Sequence, residues 1–306
     1  MAFEPPQRLV RALGETYGAS VAGEWLGRLP GIAQDAVTGR ELTVERVVVP
    51  GGRSSLVVLV RRPDGAPAAL KVAPPFAAPE AERAALAHWR GWGAVELISG
   101  SDGALLLERL HSETSLRSLA EAKALLEAAG TVRKLWVEPP AGHGFETVAG
   151  RTERQATAMR AATDPQVAPL VTAALDARVE LLGGGDGGGP GDAASESFLL
   201  HGAFRQGKVL AGDRSPWLAV GPAPVVGERA YDLARLVRDR VEDLVAAASG
   251  AAATRRRVTR LADSLDIDRE RLRGWTLFRA VESGVRALGA GRRQDAELLL
   301  EFAGWL

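Results

Sequence analysis

The stretch LLHGAFRQGKVLAGDRSPWLAVGPAP, residues 199–224, sets the reading of the whole chain. An apolar run ends in His201-Gly202, a short polar loop follows, and two further apolar runs flank the turn GDRSP. Alternating short apolar runs and turn residues read as three short strands. The only acid in the stretch is Asp213, in the turn, while Arg205 and Lys208 bring positive charge into the loop.

Upstream, ELTVERVVVP, SSLVVLVRRP and APAALKVAP are β-rich runs separated by PGGR and PDGA. Pro-Gly-Gly and Pro-Asp-Gly are turn signals, so the spacing predicts a three-stranded antiparallel meander. PEAERAALAHWRGWG then predicts a helix that opens on Pro79, carries Glu80 and Glu82 in its first turn and stops near Gly91 or Gly93. AVELIS and ALLLERL around a GSDG turn predict another hairpin. Before all of this, Leu9, Leu13, Tyr17, Val21, Trp25 and Leu29 recur at helical spacing and predict one leading amphipathic helix over residues 8–29. The rest of the chain reads as mainly helical. SLRSLAEAKALLEAAGTVRKLW and residues 151–182 are amphipathic, and helices are expected through RAYDLARLVRDRVEDLVAAA and on to the last residues. GGGDGGGPGDAASES reads as a loop, without the strand, helix and Lys-Ser that a phosphate-cradling glycine motif needs.

The 306 residues suffice for two lobes with ample core, and 46% hydrophobic with 25% charged residues is ordinary for a globular protein. Zero net charge argues against a nucleic-acid or anionic-membrane partner. The absence of cysteine excludes disulfides, thiolate catalysis and Cys-zinc sites. No apolar run is long enough for a membrane span and the first residues lack a signal-peptide core, so a cytoplasmic protein is expected. His88, His111 and His143 are scattered without metal spacing, and no metal site is expected from them. TRRRVTR (254–260) reads as a solvated helix face before an interaction patch.

Several separated motifs, in order, resemble the aminoglycoside phosphotransferase family, and within it the streptomycin and hydroxyurea phosphotransferase branch. They are ALKV (69–72), GALLLERL (103–110), LLHG, GKVL, WLAVGPAPVVGERAYDLARLV and RGWTLFRAV, spread over roughly residues 40–290. The resemblance implies an α+β, bilobal protein-kinase-like fold: a helical segment 1–39, an antiparallel-sheet N-lobe 40–110, and a mainly helical C-lobe 111–306 with catalytic-loop-like strands at 198–221. It implies that Lys71 holds nucleotide phosphates and pairs with Glu82, Glu80 being the fallback. Glu108 to Leu110 would be the hinge facing adenine. His201 and Gly202 would open the catalytic loop, and Asp232 would support it.

The departures from that family pattern fall on its chemistry. Ala203 stands where the family has its catalytic aspartate, Arg205 where a histidine is common, Lys208 where an asparagine binds metal, and Gly221 where a second aspartate grips magnesium. Alanine cannot accept a proton, glycine offers no side-chain oxygen, and an ammonium opposes a divalent cation. The expectation is therefore a catalytically degenerate homologue, a pseudokinase that binds a ligand or regulates, by family analogy in secondary metabolism. No cofactor is assigned; the basic cleft suits ATP or another phosphate-bearing ligand held without magnesium. The partner, small molecule or protein, is not identified. Arg205 and Lys208 also admit a reading as drift on a loop released from selection, or as parts of a new activity. The rival is an active small-molecule kinase with Asp213 or Glu228 as displaced acids. Trp217 and Trp275 are candidates for lining a pocket.

Overall fold

A computed structural model describes residues 3–101, 103–162, 164–183 and 197–306. The chain divides into two compact units, Met1–Ser115 with Leu210–Val220, and Leu116–Val209 with Gly221–Leu306.

The first unit opens with α1 (Gln7–Tyr17) and α2 (Ala19–Thr38). The sequence periodicity predicts one helix here; Gly18, at φ 89°, ends the first and lets the chain restart. The second helix also runs past Leu29, with Pro30 inside it, because Leu29, Ala33, Ala36 and Val37 pack into the same core as the sheet. Strands β1 (Thr43–Val47), β2 (Leu56–Arg61) and β3 (Pro67–Val72) form the expected meander. After α3 (Pro79–Trp89), β4 (Leu97–Ser101) and β5 (Ala104–Glu108) complete a five-stranded antiparallel sheet of order β1-β2-β3-β5-β4. One face is buried on the leading helices through Val58, Val60, Ala68, Leu70, Val72 and Leu106. Removing such apolar area from water is the main stabilising term of this unit.

A further strand, β6 (His111–Ser115), was not legible in the sequence. The second unit then begins with α4 (Glu121–Leu135), α5 (Val148–Arg160) and α6 (Ala168–Gly183), followed by β7 (Phe198–Leu200). Most of the glycine-rich loop expected before that strand lies outside the described residues. Next come β8 (Val209–Ala211), β9 (Leu218–Ala219) and a second unforeseen strand, β10 (Val225–Gly227). The three strands read from residues 199–224 do not form one sheet. The first, β7, pairs with β10, whereas β8 and β9 join β6. For that reason Leu210–Val220 group with the first unit, although the sequence reading places all of 198–221 in the second lobe. Ala219 adds backbone bonds to Gly93 and Val95, which fix it there.

The remaining helices are α7 (Arg229–Val237), α8 (Val241–Ala246), α9 (Gly250–Leu265), α10 (Arg269–Gly289) and α11 (Arg293–Ala303). The expected single helix through RAYDLARLVRDRVEDLVAAA is broken after Val237, where Arg240 takes φ 56° and the Asp239 carboxylate reaches the Gln206 amide. The core here is aromatic: Tyr231, Trp275 and Phe278 are fully buried and meet edge to face. Trp275 is thus packed into this core, while Trp217 is half-buried in the first unit.

Candidate functional site

In the first unit, β3 carries Lys71 and α3 carries Glu82. Register fixes the lysine, since Lys71 lies opposite Val57 on one side and Leu105 on the other. The Lys71 ammonium donates to Glu82 Oε2, and both side chains are buried. Glu82 Oε1, also buried, accepts no hydrogen bond. Glu80, the fallback, points elsewhere and binds Arg83 at 2.6 Å. At the segment matching the hinge, the Glu108 carboxylate accepts from Arg214 at 2.9 Å and from the Glu96 amide at 3.1 Å, and Leu110 is buried.

In the second unit, β7 delivers His201 and Gly202 onto the start of α7. Asp232, fully buried in the first turn of that helix, accepts the His201 amide at 2.9 Å on one oxygen and the Gly202 amide at 2.8 Å on the other. Burial pushes the Asp232 carboxyl up from its ordinary value, against the opposing pull of Arg279 and the two amides. Gly202 sits at φ 71°, and a Cβ there would lie 1.9 Å from the Ala223 carbonyl oxygen, so only glycine fits. Arg279 closes the turn from α10, donating to the Gly202 carbonyl at 2.8 Å. The Ala223 amide donates to the His201 carbonyl at 2.9 Å, and Arg151 donates to the Ala223 carbonyl at 2.8 Å. The loop scaffold is therefore fully built.

The chemistry it would present is different. Ala203 is 5% exposed, a buried methyl between His201 and Phe204. Lys208 ends a single tight turn, and its ammonium donates to the carbonyl oxygen of Gly221 at 2.5 Å. A cation thus spans the two positions that match metal ligands in the family pattern. Gly221 itself adopts φ 59°, a conformation that glycine reaches without strain. Gln206, fully buried, donates its amide to Asp239 at 2.5 Å. Sequence reasoning missed Asp239, whose only signal is its place seven residues after Asp232, just past the end of the same helix.

The two candidate displaced acids each have partners of their own. Glu228 is held by Arg271 through two contacts of 2.7 Å and accepts from the Trp275 indole N–H. Asp213 is exposed and lies 2.8 Å from His111 in the first unit. Among the described residues, no group of three or more His, Asp or Glu side chains could hold a metal ion. In TRRRVTR, Arg255, Arg256 and Arg260 are exposed, but Arg257 is a buried strut that donates to the Val237 and Asp239 carbonyls at 2.7 and 2.6 Å. Among the described residues no helix is long and apolar enough to cross a membrane.

A five-stranded antiparallel sheet with one helix, joined to a helical unit whose loop is braced by a buried aspartate, defines a protein-kinase-like phosphotransferase fold. An aminoglycoside phosphotransferase solved with ADP and hygromycin B superposes with a TM-score of 0.59 at 17% identity, covering 90% of this chain and 97% of that one. The model of the aminoglycoside/hydroxyurea antibiotic resistance kinases matches residues 40–291, and the chain belongs to that family. It is 32% identical to a streptomycin 6-kinase of Streptomyces glaucescens over 288 residues, 92% of this chain and 90% of that protein. It is 34% identical to a hydroxyurea phosphotransferase of Kitasatospora aureofaciens over 307 residues, 94% of this chain and 84% of that protein.

Proposed function

We propose that this chain is a pseudokinase of its family, a binding or regulatory module that keeps the scaffold and has lost phosphoryl transfer. The observation that carries the reading is the Lys208 ammonium on the Gly221 carbonyl, beside a buried Ala203. Phosphoryl transfer needs metal-borne charge neutralisation and an acceptor for the hydroxyl proton. General-base catalysis alone supplies ~10²–10⁴ in rate, and magnesium requires oxygen ligands. Of the carboxylates that brace this segment, Asp232 has both oxygens committed to backbone amides and Asp239 accepts the Gln206 backbone amide.

Lys71 and Glu82 support a retained capacity to bind a phosphate-bearing ligand such as a nucleotide. Glu82 neutralises the lysine locally, so without magnesium the affinity rests on hydrogen bonding and adenine contacts rather than on net charge. Titration of the purified protein with ATP, followed by thermal shift with and without magnesium, tests the reading. Binding that is unchanged or weaker with magnesium is expected; clearly tighter binding with magnesium overturns it.

A further inference from the structure

The second unit holds a cluster of arginines around Arg235, which, unlike Arg279, braces no backbone carbonyl among the described residues. The last turn of α7 carries Arg235, and Arg238 caps its end, three residues on and so on the same helical side. From α10, Arg279 packs its guanidinium 4.1 Å from the Tyr231 ring centroid and donates to the Tyr231 carbonyl, while Arg238 donates to the Arg279 carbonyl, both at 2.8 Å. Arg205, in the loop after His201-Gly202, lies within electrostatic reach of the same point.

Three further guanidiniums, those of Arg238, Arg279 and Arg205, therefore act on Arg235. The carboxylates that act on it are Glu282 and Asp239. Each is already engaged: Glu282 accepts from Arg286 at 2.9 Å and Ser283 at 3.0 Å, and Asp239 accepts the Gln206 amide at 2.5 Å. Arg279 and Arg238 spend donors on carbonyls, but among the described residues Arg235 makes no hydrogen bond or ion pair. Burial, then Arg238, Arg279 and Arg205, pull its guanidinium well below the usual arginine range. A half-buried guanidinium among like charges is unfavourable unless an anion completes it. With Arg286 and Asp232, which act on Arg238 and Arg279, the cluster holds five guanidiniums and three carboxylates, an excess of two cations. Guanidinium forks match phosphate oxygens in geometry as well as charge.

We propose that Arg235, with Arg205 and Arg238, forms a binding site for a doubly charged oxyanion, a phosphate or a phosphate monoester. The site needs neither magnesium nor Lys71 and does not depend on the pseudokinase reading. It gives the module a ligand class opposite in charge to a cationic aminoglycoside.

The test is calorimetric titration of the full chain at constant ionic strength with inorganic phosphate, glucose 6-phosphate and ADP, all without magnesium. The wild type and the exposed-arginine control R256Q are expected to bind phosphate. R235Q is expected to bind it roughly 10- to 100-fold more weakly, the loss of one charged contact. R235K, which keeps the charge and loses the fork, is expected to be weakened as well, and it carries the test if R235Q does not fold. Tighter binding of glucose 6-phosphate than of phosphate identifies the ligand as a monoester; equal binding identifies free phosphate. K71M is expected to lose ADP and keep phosphate, which separates this site from nucleotide binding. Failure of the wild type to bind phosphate or glucose 6-phosphate at millimolar concentration overturns the proposal, as does equal affinity in wild type and the Arg235 variants.

Discussion

Replacing Lys208 by methionine keeps the apolar stem and removes the ammonium that donates to Gly221 at 2.5 Å. A hydrogen bond from a charged donor contributes about 1.5–3 kcal/mol, and the side chain is half-buried, so solvent screening places the loss near the lower end. At about 2–4 °C per kcal/mol for chains somewhat shorter than this one, K208M should lower Tm by about 2–5 °C. K123M, at an exposed lysine of α4, is the control and should leave Tm within about 1 °C. The second arm restores oxygen ligands. In K208N/G221D the ammonium is gone and two side-chain oxygens replace it; aspartate is among the few residues that tolerate φ 59°. Magnesium should raise the Tm of that double variant and of neither wild type nor K208M. Differential scanning fluorimetry over a magnesium series reads both arms. A K208M Tm equal to that of K123M, or a magnesium response in the wild type, would refute the reasoning that the ammonium has taken the place of a metal site.

Three further outcomes follow from the geometry. K71M should destabilise by about 3–5 kcal/mol in chemical denaturation, because Glu82 is left buried and uncompensated, and K71M/E82L should recover most of the loss. G202A should fail to fold or lose more than about 4 kcal/mol, since its Cβ meets the Ala223 carbonyl at 1.9 Å; soluble yield against wild type checks it. Burial alone would push the Glu146 carboxyl up, but Arg154 and Arg151 outweigh it and hold it below 4.5. That contribution to stability is present above the ordinary glutamate value and is lost as pH falls through the lower folded value. E146Q should therefore flatten the acid limb of stability, measured by urea unfolding between about pH 5 and 3, without changing its slope near neutrality.

The first unit was legible because its signals are local. Turn residues bracket each strand of the meander, and Pro79 with two acids marks the start of α3, so the Lys71–Glu82 pair followed from two short segments. The sequence reads as one leading helix because Tyr17 and Val21 keep the apolar period across Gly18; the glycine is the signal of the break. The missed strands are short and non-local. All five residues of HSETS are polar, and they pair with the chain about a hundred residues on, and VVG pairs back onto β7. In the candidate site, residue types told where the chain departs from the family pattern, because alanine and glycine offer no acceptor side chain in any geometry. They could not tell that Lys208 binds a carbonyl, that Glu228 is consumed by Arg271, or that Arg257 is buried in a run that looks solvated. Each of those depends on which distant backbone reaches the side chain. The arginine cluster was hidden for the same reason: Arg205, Arg235 and Arg279 come from three elements that the fold assembles.

The most direct measurement is phosphate release or transfer from ATP and GTP by the clean, unaltered protein, with magnesium, against streptomycin and hydroxyurea, beside the triple variant A203D/K208N/G221D. No turnover above the protein-free rate is expected from the unaltered chain, with detectable magnesium-dependent turnover confined to the restored one. Magnesium-dependent transfer by the unaltered chain, at a rate typical of kinases (about 1–100 per second), would contradict the account.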